Sequence, residues 1–226
     1  MKKLVSVVLL SFIISFSFAQ QSEVRSVGSF TGVKAAEAID VYLKKGEKES
    51  VRVETSDIRL SDVLTEVSGS YLKIHMRDGN YRKGNVKVYV TYVNINKVSA
   101  SSASNVFSEG TIHAGSLDVS VSSAASVELA IEAESSVVEA SSAGDVVLEG
   151  KVKRLEVEAS SAGEIDAYGL ESEMVEAGAS SAGSIKVNVT KQLDAHASSG
   201  GSIRYRGAPV RTNTDSSSGG SVKKSN

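Results

Sequence analysis

The sequence predicts an all-β chain wound as a right-handed parallel β-solenoid, with coils of about 19–20 residues and an irregular strand-rich N-terminal cap that starts them. Two observations carry this. A serine-rich hexapeptide returns seven times, beginning at Ser101, Ser122, Ser141, Ser160, Ser180, Ser198 and Ser217, at spacings of 21, 19, 19, 20, 18 and 19 residues. A fixed period of about 20 residues means one structural unit stacked many times. The stretches between hexapeptides alternate apolar and polar residues, as in Leu117, Val119, Val121 and in Val127, Leu129, Ile131. That is the period of a half-buried strand, and nothing in the repeat region shows helical spacing.

Taken in order, the chain opens with Met1-Lys-Lys3, an apolar run from Leu4 to Phe18, and the small-x-small pattern Ser17-Phe-Ala19. This reads as a secretory signal peptide over residues 1–19, too short to span a membrane. The expected mature chain, 20–226, is a single domain with no transmembrane segment, divided into a strand-rich part at 20–100 and a repeat region at 101–222.

Segments in the first part fit strands, among them Ile39–Leu43, Val51–Thr55, Tyr71–His75 and Val86–Val90, with Gly46, Gly69 and Asp78-Gly79 marking turns. A solenoid needs its ends covered, so this part is expected to cap the stack and run continuously into it.

In the repeat region, strict alternation carried through the hexapeptide places its second serine and the following small residue inside. Ser123, Ser142, Ser161, Ser181 and Ser199 are therefore expected to form an inward ladder at a tight corner, each hydroxyl bonded to a neighbour above or below. The other corner absorbs the drift in spacing. Val187 is expected to point inward. The tail from Lys223 is expected to be short and frayed.

Composition narrows the chemistry. Cysteine and tryptophan are absent and aromatic residues make up 5%. Thiol nucleophiles and cysteine-held metals are therefore excluded, and Val, Ile, Leu and Ala must fill a narrow interior. Residues 20–100 carry 13 basic and 10 acidic side chains, residues 101–189 carry 4 and 15, and residues 190–226 carry 6 and 2. No basic stripe suited to nucleic acid is present.

Phe30-Thr-Gly-Val33 leading to Ile39-Asp-Val41, Val88-Tyr-Val-Thr91 before the first serine unit, the repeated Ser-Ser-Ala-Gly and Ser-Ser-Gly-Gly corners, and the closing Tyr205-Arg-Gly-Ala-Pro209 together resemble the family described as putative auto-transporter adhesin, head GIN domain. The resemblance covers nearly the whole mature chain. The first glycine of the corner is usually Ala here. It implies an exported all-β envelope protein of Gram-negative bacteria, in the periplasm, at the cell surface or secreted. It implies no catalytic residue and no cofactor.

Candidate chemistry lies in stacked carboxylates. Counted from the hexapeptides, Glu139 and Glu158 are equivalent, as are Asp145 and Glu164, and Glu156 and Glu176. Stacking sets such pairs about 4.8 Å apart. This geometry would suit Ca2+ or, as a weaker reading, glycan hydrolysis; the plain reading is a solvated acidic face. His75, His113 and His196 share no ligand spacing, and Tyr89 and Tyr92 are read as packing at the cap rather than as sugar platforms. The expected function is a non-catalytic, adhesin-like binding module for a glycan or an envelope protein. The alternatives are a polysaccharide-acting β-helix enzyme and a purely structural envelope component.

Overall fold

A computed structural model describes residues 21–79, 81 and 84–225, so the predicted leader at 1–19 lies outside the described residues. Five long strands form the body: β9 (Asn105–Val121), β10 (Ser126–Ala140), β11 (Asp145–Ala159), β12 (Glu164–Ala179) and β13 (Ser184–Ala197). They follow β1 (Gln21–Arg25), β2 (Gly32–Ala35), β3 (Asp40–Lys45), β4 (Ser50–Ser56), β5 (Val63–Ser68), β6 (Tyr71–Met76), β7 (Asn85–Tyr92) and β8 (Lys97–Ala100), and precede β14 (Ser202–Gly207), β15 (Arg211–Ser216) and β16 (Ser221–Lys224). Among the described residues the one helical element is the short 3-10 turn Leu60–Asp62. The long strands pair in parallel, each with the next, as a solenoid requires.

Each long strand is a whole coil with two bends in it. In β11, Val146 and Leu148 face inward, Val152 faces inward alone, and Leu155, Val157 and Ala159 face inward again. Between these groups two or three consecutive side chains are exposed. The coil therefore has three short edges: a first (145–149), a second (151–153) and a third (155–159). Register stacks like on like in the interior. Val41, Val106, Val127, Val146, Ile165, Ile185 and Ile203 form one buried file through seven layers. The drift in spacing is absorbed where predicted, away from the serine corner, as register shifts between Glu128 and Ala130, between Val147 and Glu149, and between Ala167 and Glu171.

The serine corner corrects one expectation. Ser123, Ser142, Ser161, Ser181 and Ser199 do lie in single file: the Ala124, Ala143, Ala162 and Ala182 N–H groups donate to the carbonyls of Ser142, Ser161, Ser181 and Ser199 at 3.1–3.2 Å. Their side chains are exposed, however, and no inward hydroxyl ladder forms. The reason is local. Ser142 and Ala143 have φ of 50° and 59°, and the Gly144 N–H closes onto the Ser141 carbonyl at 2.8 Å. That is a four-residue turn with both central residues left-handed, as in type I′. Alternation holds only for extended backbone, and this turn swings both central side chains outward. The small residue at the fourth position does point inward, as predicted: Ala125 is buried, and in the first unit buried Ser104 donates its hydroxyl to the Ala35 carbonyl at 3.1 Å.

The cap joins the same sheet but stacks its strands out of chain order. On the first edge the strand order is β1-β4-β7-β3-β9, and on the third it is β5-β6-β2-β8-β9. The β2–β3 stretch forms the layer next to β8–β9, and the later β6–β7 stretch stacks outside it. The outer strands β1, β4 and β5 run antiparallel and close that end. An early corner that lacks the hexapeptide, Glu37-Ala38 with φ of 67° and 56°, bonds to Ser102 and begins the same file without a serine.

Candidate functional site: the outward files of the solenoid

Where neighbouring coils stay in register, stacking turns an outward position into a file of side chains about 4.8 Å apart. What each file can do depends on whether its members satisfy one another.

On the second edge they do. Lys153 bonds Glu134 at 2.6 Å, Lys191 bonds Glu173 at 2.7 Å, and His113 meets Glu132 at 3.4 Å. All of these side chains except Lys191 line a groove of about 560 Å³, together with Ala114, Gly115 and Ala133. The sign alternates from coil to coil, the favourable cross-strand arrangement. The other histidines behave alike: His75 meets Glu66 at 3.3 Å and His196 meets Asp215 at 3.0 Å.

The third edge carries like charges. Glu139 stands opposite Glu158, and Glu156 opposite Glu176, as the spacing predicted. Across the serine turn, at the start of the first edge, Asp145 stands opposite Glu164, also as predicted. The four candidate carboxylates thus form two pairs on either side of a corner. Among the described residues no group of three or more His, Asp or Glu side chains is placed to hold a metal ion.

Asp145 is nonetheless perturbed. Partial burial raises the Asp145 carboxyl above its ordinary value, and the charges of Glu164, Glu128 and Asp166 raise it further against the opposing effect of Lys186. Lys186 donates to Glu164 at 2.9 Å and Asp166 at 3.2 Å, so its own ammonium is held charged. A carboxyl whose folded pKa is raised opposes folding once ionised. The penalty is absent below the ordinary carboxylate range and complete above the folded pKa. Asp145→Asn is therefore expected to stabilise the chain at pH 7 by up to about 1 kcal/mol, the scale of like charges facing across strands, and to match the parent at about pH 3. A thermal melt at both pH values checks this; a lower melting point at pH 7 would show that the carboxylate makes a favourable contact instead.

The first edge also holds what sequence reasoning missed. Tyr89, Tyr42 and Phe107 form one outward file, with ring centroids 5.1 Å and 5.3 Å apart and planes inclined by 18° and 24°. Arg52 lays its guanidinium over Tyr89 at 4.0 Å and pairs with Glu54. Tyr89 is half-buried in this file, whereas Tyr92 is buried at the cap as expected. The outward parity of Tyr42, between Val41 and Leu43, and of Tyr89, between Val88 and Val90, was legible in the sequence. Their adjacency was not, because it arises from the crossover that sets β7, β3 and β9 side by side.

The fold and its outward files define a repeat-built β-solenoid protein. The sequence profile of the family described as "Putative auto-transporter adhesin, head GIN domain" matches residues 29–209, and the chain belongs to that family. Among solved structures it is similar to a putative adhesin from Bacteroides fragilis NCTC 9343, with a TM-score of 0.83, 22% identity, and coverage of 92% of this chain and 98% of that one. A putative adhesin from Parabacteroides distasonis ATCC 8503 superposes with a TM-score of 0.72 at 21% identity over 92% of this chain and 97% of that one. A protein from the same organism described as a putative lipid binding protein gives a TM-score of 0.68 at 17% identity over 92% and 97%. At these identities the likeness shows the fold alone. No curated protein matches the chain. No helix among the described residues is long and apolar enough to cross a membrane.

Proposed function

We propose that the chain is an exported, non-catalytic, adhesin-like binding module of the bacterial envelope, with residues 20–226 acting as one domain that engages a glycan or an envelope protein. Family membership and the leader pattern at 1–19 support export. The observation that carries the binding role is the set of outward files along the third edge, where the backbone stays in register from β9 to β13. Such a surface suits a repetitive partner, because weak contacts repeated at a fixed spacing add through effective concentration. The carboxylate pairs Glu139–Glu158 and Asp145–Glu164 keep this surface solvated.

The test sets a glycan array beside a reducing-sugar assay on the arrayed polysaccharides, together with capture of envelope proteins by the mature chain. Binding without release of reducing ends supports the module. Release of reducing ends replaces it with the enzyme reading, and no partner in either arm leaves a structural component.

A further inference from the structure

The aromatic file on the first edge has one open end. Tyr42 lies between Tyr89 and Phe107, and the far side of Tyr89 is covered by Arg52. Phe107 has Tyr42 on one side only. On its other side, toward β10 and β11, a cleft of about 390 Å³ opens, with Phe107, Glu128, Val147 and Glu149 among its walls. Three features converge on it. Residues 108–110 of β9 stand against Leu129 alone, an irregularity that breaks the ladder at the cleft, and the Ser108 hydroxyl there accepts the Ala130 N–H at 2.9 Å. Val147 is 40% exposed, one of few large apolar side chains so placed. Glu128 and Glu149 have no hydrogen-bond or ion-pair partner among the described residues, whereas Glu134 and Glu173 of the larger groove on the second edge are held by Lys153 and Lys191.

We propose that this cleft binds one neutral pyranose ring of a glycan, with a sugar face stacked on Phe107 and its hydroxyls donating to Glu128 and Glu149. The proposal rests on the glycan-binding reading above and adds its site and ligand class. The chemistry selects that class. Unpaired carboxylates accept hydrogen bonds and so want a ligand rich in hydroxyl donors. They repel uronates, phosphates and sulfates. A purely alkyl ligand would bury them without partners. A flat ring beside polar acceptors suits a sugar, which has both an apolar face and a rim of hydroxyls. A bulge beside the cleft fits the general placement of such irregularities next to sites.

The experiment is isothermal titration calorimetry of the mature chain with cellohexaose, chitohexaose, maltohexaose, mannohexaose and laminarihexaose, and with polygalacturonate as an anionic counterpart. At least one neutral hexaose is expected to bind and polygalacturonate is not. Phe107→Leu keeps an apolar side chain against Tyr42 but removes the ring, and is expected to weaken binding about tenfold, the upper range for an aromatic stack. Glu149→Gln, exposed and unpaired, is expected to weaken binding without moving the melting point. Should Phe107→Leu fail to fold, Val147→Arg serves in its place by filling the cleft. Equal affinity in parent and cleft variants would overturn the site while leaving glycan binding standing. Tighter binding of polygalacturonate would overturn the ligand class. Failure of all five hexaoses to bind would overturn the proposal and the glycan half of the functional reading together.

Discussion

Val187→Asp is expected to destabilise the chain by about 4–5 kcal/mol at pH 7, the scale reserved for an unpaired charge placed in a core. Val187 is fully buried, stacked in register between Ala167 and Tyr205. A carboxylate there has no cation within the file: its neighbours above and below are Ala167 and the partly buried Tyr205. The burial would raise its pKa, so the penalty should shrink as pH falls and the carboxyl becomes neutral. Asn188→Asp, one residue on and facing out, provides the control and should change stability little. Urea melts of both variants at pH 7 and at about pH 4 make the comparison. A Val187→Asp chain that unfolds with its parent would show that the inward parity of β13 is wrong.

Gly183→Val is expected to cost about 3 kcal/mol, at the upper end for overpacking. Gly183 is the fourth residue of its serine corner and faces the coil before it. A β-carbon there would sit 2.2 Å from the Ala159 carbonyl oxygen and 2.5 Å from its carbon. That oxygen already accepts the Ser180 N–H at 2.9 Å, so the clash falls on the ladder that joins two coils. Backbone cannot move aside as a flexible side-chain end would. The same approach recurs at 2.7 Å for Gly144, 2.4 Å for Gly163 and 2.3 Å for Gly201 and Gly220. Gly178→Ala is the control, because its nearest neighbour is the Glu158 Cγ at 3.8 Å. If Gly183→Val and Gly178→Ala melt alike, the corner does not set the coil spacing.

Both variants probe features that were legible before the structure, though unequally. The inward parity of Val187 follows from alternation in an extended strand, and alternation is a local property of the backbone. The inward small residue of the corner was legible for the same reason, since it resumes the strand after the turn. The serines were misplaced because two left-handed residues interrupt that geometry. Serine and alanine do not advertise a positive φ as glycine or asparagine would. The last two corners do carry the signal: Gly200 and Gly219 stand where earlier units have Ala, with φ of 76° and 78°.

The carboxylate pairs and the aromatic file show the same division on the surface. Glu139 opposite Glu158, and Asp145 opposite Glu164, were countable because neighbouring coils are neighbours in sequence and differ by one repeat. Their consequence was not countable: partial burial raises the Asp145 carboxyl, while Lys186, two coils away, reaches Glu164 and Asp166. Tyr42, Tyr89 and Phe107 were beyond counting, since they meet only when β7 inserts between β3 and β4.

By itself, then, the sequence determined that this is a repeat-built solenoid, with the coil length, which residues form its interior, and the family it belongs to, because periodicity and burial are written locally and repeated in every unit. Only the tertiary structure decided which way the corner serines face, how the end is closed, and where aromatic rings and unpaired carboxylates converge beside a cleft. Those outcomes depend on left-handed turns between small residues and on strand crossovers between segments distant in the chain, and neither leaves a periodic trace in the order of amino acids.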